Sequence, residues 1–366
     1  MVTLLAQIIA GLYMLFFLLA LFMRKLVGIE LMAVIQISFL ALLTLPSLNP
    51  NFEALSTIWF VNGFNIFSLS SKSHLQDIHT PLQVKGVSLY SRFTENYNMT
   101  FVLVLIPYIL ALICFVLTKT AYKQDEHKQL KSLRNAKMFL CETAYNGVMF
   151  SGYIISVSFG LEIVYGTKNM GNFIGMLSVA ECTILLLLYL VYFILLAKFP
   201  RYFGEFVYCF RKKRATQQED DKAGFCTVVN WKWYNILMVE RIVVGLSLVF
   251  LLSVEVSPVV PIVVFLLLGA YAILRRPYLK TMHNVRFACN MLICIVILGI
   301  YLGYKKASFI DEHKSTVWLI MPIVVCILLI ICLIYNVAIL IYELVMKKRI
   351  SQGKVELKEQ EDFVNF

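Results

Sequence analysis

Apolar runs of about twenty residues alternate with short polar breaks along most of the 366 residues. None of these runs shows the strict two-residue alternation of a half-buried strand, and each is long enough for a helix. A helix needs about 20 apolar residues to cross the hydrocarbon of a bilayer. On that measure the pattern predicts an all-α integral membrane protein with about nine transmembrane helices in one bundle. The spans fall at 2–23, 27–48, 100–118, 144–165, 173–197, 236–254, 258–274, 285–304 and 316–345. Residues 1–345 then form one polytopic domain, with an outer loop at 49–99, a basic loop at 198–235 and a polar tail at 346–366.

Composition agrees with this class. Sixty per cent of the residues are hydrophobic and 15% are charged, against roughly 25% charged in soluble chains. Arg24 and Lys25 follow the first apolar run. A cleavable signal has its basic residues first, so the run is expected to be a retained helix with its N-terminus outside. With nine spans the C-terminus is then cytosolic. The outer loops hold Lys72, Lys85, Arg92, Lys168, Lys305, Lys306 and Lys314, which leaves 26 of the 33 Lys and Arg on the inner side. That asymmetry is what the positive-inside rule requires. It also accounts for the net charge of +11 without nucleic acid as a partner.

Two basic stretches carry most of the signal. Arg275, Arg276, Lys280 and Arg286 pin a tight cytosolic turn between spans seven and eight, and Pro277 ends span seven. Arg211, Lys212, Lys213 and Arg214 follow an aromatic and basic segment of the inner loop. Both stretches could hold anionic lipid headgroups as well as set topology. Cys209, beside the second stretch, is either a palmitoylation site or a plain thiol. All nine cysteines lie in spans or on the inner side, so no outer disulfide framework is expected. Asn98-Met99-Thr100 fits the glycosylation pattern but abuts span three.

Signs of enzymatic chemistry are thin. His74 and His79, with Asp77 between them, read as solvated loop residues more readily than as metal ligands. The chain has no P-loop, dinucleotide fingerprint or nucleophile elbow. No catalytic residues, metal or cofactor are expected, and the chain does not read as an enzyme. Polar residues inside the spans are the remaining pointers. Glu181 stands eight residues into span five, about 12 Å deep at the helical rise. It reads either as part of an ion or solute pathway or as an interhelical hydrogen-bonding group. Asn290 and Asn336 carry the same two readings. Glu30, Glu142, Glu162 and Glu343 lie near span ends and are expected to reach water. Glu240 and Arg241, near the inner end of span six, are expected to meet the same aqueous layer.

Span seven ending in Arg-Pro-Tyr, followed by the short basic turn, resembles the membrane region of the TRP-like family. The likeness is to fungal TRP-like proteins and, more closely, to the C-terminal multi-helix region of large ciliate surface proteins. "LLTLPSLNPNFEALSTIWFVNGFNIFSL", "ETAYNGVMFSGYIISVSFGLEI", "RYFGEFVYCFRKKR" and "ERIVVGLSLVF" follow in the family's order, over roughly residues 30 to 305. The resemblance implies a channel-like or transporter-like protein that moves an ion or small solute, in a plasma or ciliary membrane or in an organelle membrane. The link from Tyr304 to Ser315 is twelve residues, short for a pore helix and filter. That favours the alternative, a non-transporting subunit that anchors or assembles a membrane complex. Expected partners are the lipid bilayer with its anionic headgroups, and other membrane subunits or further copies of the chain.

Overall fold

The computed structural model describes residues 2–22, 27–42, 45, 55, 105–106, 109–110, 112–113, 116, 147–157, 159–166, 173–198, 232–250, 258–278, 281–309 and 316–351. Within them the protein is all-helical. The elements are α1 (Val2–Phe22), α2 (Val27–Leu42), α3 (Gly147–Val164), α4 (Phe173–Lys198), α5 (Lys232–Phe250), α6 (Val259–Arg275), α7 (Thr281–Phe309) and α8 (Thr316–Ser351). The end of α3 loosens into a π-helical turn, Glu162–Gly166. Among the described residues six helices, namely α1, α3, α4, α5, α7 and α8, are long and apolar enough to cross a membrane. The apolar stretches in α2 and α6 are shorter. Of the span expected at 100–118 only seven scattered helical residues are described, and most of the outer loop, the basic loop and the tail lie outside the described residues.

The burial pattern reverses that of a soluble protein. Leu4, Ile8, Leu12, Leu15 and Leu19 make an exposed stripe along α1, and Ile320, Ile327, Ile331, Ile334 and Ile341 make one along α8. Glu30, Gln36, Glu240, Arg241, His283, Arg286, Asn290 and Asn336 are buried. In water this arrangement would be penalised on both counts. In hydrocarbon an outward leucine costs nothing, while polar groups must turn inward and find partners.

α2 is the centre. Every residue from Gly28 to Leu42 is buried, as expected of a helix that is apolar all round. α1, α7 and α8 pack on it. α3 joins them, since Gln36 Nε2 donates to the Phe150 carbonyl at 3.1 Å and Phe17 of α1 stacks on Phe150 at 5.3 Å. Tyr13 of α1 donates to the Leu329 carbonyl of α8 at 2.8 Å. α5 bridges α6 and α4.

α3 and α5 meet through small residues. Gly152, Ser156 and Gly160 recur every fourth position on α3. A β-carbon on Gly245 of α5 would lie 2.6 Å from Ser156 Cβ and 3.1 Å from the Tyr153 carbonyl oxygen, and one on Gly160 would lie 3.0 Å from Val249 Cβ. Close backbone approach of this kind replaces the missing hydrophobic drive between helices in lipid.

α6 and α7 form a hairpin. α6 ends at Arg276, whose φ of 44° is left-handed. That setting costs a residue with a side chain about 1–3 kcal/mol. Pro277 blocks further helix, and Asn284 clasps the turn: its Oδ1 accepts from Tyr278 N at 3.0 Å and its Nδ2 donates to the Tyr278 carbonyl at 2.8 Å.

Candidate functional site

The first turns of α2, α3, α5 and α7 and the last turns of α6 and α8 share one end of the bundle. Sequence places an ionisable or aromatic residue on each, and the fold brings them into one buried layer. Arg286 of α7, 0% exposed, donates a hydrogen bond through Nη2 to Glu30 Oε2 of α2. Tyr278 of the hairpin turn donates to Oε1 of the same carboxylate. Burial, and then the negative charge of Glu30, hold the Tyr278 phenol well above its ordinary range, so it stays protonated and acts as a donor.

A second group lies alongside. Arg241 of α5 pairs with Glu240 at 3.1 Å, donates through Nε to the Met149 carbonyl at 2.8 Å and through Nη1 to the Leu237 carbonyl at 3.1 Å. Its guanidinium carbon stands 5.1 Å from the ring centre of Tyr153, and the Tyr153 hydroxyl donates to Glu240 Oε1. Gly152 makes room, because a β-carbon there would meet Arg241 Cδ at 2.8 Å. A cavity of about 10 Å³ is lined by residues of both groups, Glu30, Tyr278 and Arg241, together with Met149 and Tyr234. That is about the space of one water molecule. Trp233 is buried under the layer, stacked on Tyr271 at 5.4 Å and edge-on to Phe287 at 5.1 Å.

α8 is tied in twice. His283 Nε2 lies 2.6 Å from Glu343 Oε1. Asn336 Nδ2 donates to Asn290 Oδ1 at 2.9 Å and to the Cys332 carbonyl at 2.8 Å. Asn290 and Asn336 thus hold each other across α7 and α8. No protein-family model, curated protein or solved structure matches this chain.

Glu181 lies elsewhere. It is half-buried on α4, at the opposite end of the bundle, close to Cys182 and Glu162; Glu162 accepts a hydrogen bond from Ser178 at 2.8 Å. The basic turn divides. Arg275 and Arg276 are exposed, whereas Arg286 is fully buried on its carboxylate. Lys280 and the run Arg211, Lys212, Lys213 and Arg214 lie outside the described residues, as does Glu142.

The expectation that Glu30, Glu162 and Glu343 reach water, and that Glu240 and Arg241 meet the aqueous layer, is corrected: all five are buried. Their carbonyl, phenol, imidazole, hydroxyl and guanidinium partners replace water. The available signal was depth. Glu30 is four residues into α2 and Arg286 six into α7, and both helices start at the same end of the bundle, so parallel packing puts opposite charges at one level. Among the described residues no group of three or more His, Cys, Asp or Glu could hold a metal ion.

Proposed function

We propose that this chain is a TRP-like multi-pass membrane protein that moves an ion or small solute through its helix bundle. The buried charge layer carries this reading. Two arginines and two glutamates within apolar helices lose several kcal/mol each in hydration, and well-packed apolar side chains would often serve stability as well or better. Ionisable residues kept inside a membrane bundle mark ion or solute pathways by default. The family resemblance points the same way, and a plasma or ciliary membrane is the proposed location. The second reading, a non-transporting subunit, is favoured by the α3–α5 contact, which is too close for water between Gly245 and Ser156.

Reconstitution separates the two. Full-length protein in liposomes should raise the flux of at least one of K⁺, Na⁺, Ca²⁺ or H⁺, read by entrapped ion-sensitive dyes. Glu181→Gln should keep the fold and lose or alter that flux, since it removes the charge and keeps the size. Flux equal to that of empty liposomes for all four ions would sink transport of these cations and leave the subunit reading. An unchanged profile in Glu181→Gln would remove this residue from the pathway.

Nine spans with the N-terminus outside and the tail from Met346 cytosolic complete the proposal. Protease protection in sealed vesicles checks it. Tags at the two termini should be cleaved from opposite sides, and cleavage of both from one side would show an even number of spans.

A further inference from the structure

We propose that the end of the α6–α7 hairpin is a binding site for an anionic phospholipid, with the phosphate on Arg275 and Arg276 and an acyl chain along α6. The inference rests on the membrane reading above and names a partner for a surface separate from the buried layer.

Three observations carry it. The first is the split of the basic turn. Arg286 is neutralised inside the bundle by Glu30, whereas Arg275 and Arg276 are exposed and no ion pair among the described residues involves them. The second is what lies beside them. Leu274 is 79% exposed and Leu267 63%, and Leu266 and Ile273 share the outward surface of α6. A bare apolar surface ending abruptly at two guanidinium groups matches an acyl chain ending at a phosphate, and guanidinium binds phosphate in a two-pronged fork. The third is the backbone. Arg276 holds a left-handed φ of 44° where glycine is the low-cost residue. Pro277 and the Asn284 clasp fix that conformation. The turn therefore holds an arginine in a rigid, outward position at a backbone cost that topology alone does not require, because Lys or Arg elsewhere in the link would serve the positive-inside rule equally.

The test uses purified full-length protein in detergent, with lipid adducts counted by native mass spectrometry. Phosphatidylserine and phosphatidylcholine are titrated separately, and inorganic phosphate is the soluble competitor. Arg276→Gly is the informative variant, because glycine accepts the observed φ and removes the guanidinium without straining the turn. It should weaken phosphatidylserine binding about fivefold, and Arg275→Gln with Arg276→Gly about fivefold more, at about one fivefold step per basic residue. Phosphatidylcholine binding should not change. The series is repeated with residues 211–214 changed to Gln, so that the basic loop cannot mask the effect. Unchanged phosphatidylserine binding in the double variant on that background overturns the site. Displacement of the lipid by millimolar inorganic phosphate overturns the lipid assignment in favour of a free anion. Carbonate extraction of native membranes tests the underlying reading by itself: release of the protein refutes membrane integration, while retention with no lipid selectivity refutes only this site.

Discussion

Glu30→Gln should be among the most damaging conservative substitutions in the chain. It leaves Arg286 buried without the carboxylate it contacts, and removing one partner of a buried ion pair costs about 3–5 kcal/mol. Arg286→Gln should cost clearly less. A guanidinium cannot shed its proton inside a protein, but a carboxyl can take one up, and Tyr278 still donates to Glu30. The double variant should recover part of the loss. Thermal shift of the detergent-solubilised protein, read as the fraction surviving in the monodisperse size-exclusion peak, gives the order directly. The expected order is wild type, then Arg286→Gln, then Glu30→Gln, with the double variant above Glu30→Gln. If Glu30→Gln is as stable as wild type, the pair does not hold the fold together.

Gly245→Val tests the other main contact. Its β-carbon alone would sit 2.6 Å from Ser156 Cβ, and the Tyr153 carbonyl oxygen and Val157 amide nitrogen lie 3.1 and 3.3 Å away. Two of these three atoms are backbone, so relief requires α3 to move. Overpacking of this kind costs about 1–3 kcal/mol, occasionally more. Here it would also pull Met149 off Arg241, whose Nε it accepts at 2.8 Å. The same thermal assay should show a loss, and Gly245→Ala should be partly rescued by Ser156→Gly. Rescue fails if the two helices do not touch at this level.

Three of the apolar runs could be read from the sequence almost to the residue. The runs at 2–23, 173–197 and 258–274 correspond to Val2–Phe22, Phe173–Lys198 and Val259–Arg275. Where polar residues border a run the reading slipped. The run at 236–254 is helical from Lys232 to Phe250, and the one at 285–304 extends from Thr281 to Phe309. Hydropathy treats a helix as alone in lipid, so Asn235 or His283 looks like an edge. In the fold both are buried inside the bundle, and the helix continues through them. The charge layer was hidden for the same reason. Arg286 could be seen as a basic residue in a turn, but its partner is 256 positions away, and no local pattern connects them. The left-handed Arg276 was also hidden, because the Arg-Pro sequence announces a break and not its backbone angle.

The enclosure of α2 bears on how the chain is made. α2 is finished within the first 42 residues, yet part of its coat comes from α7 and α8, which begin at residues 281 and 316. At about 5–20 residues per second of synthesis, Glu30 waits tens of seconds for Arg286 to exist. During that interval an incompletely covered carboxylate stands at the membrane edge, as a mark of an unfinished chain. A product truncated after α6 keeps that mark for good, and so carries within its first helices a signal by which cellular quality control could tell it from the completed protein.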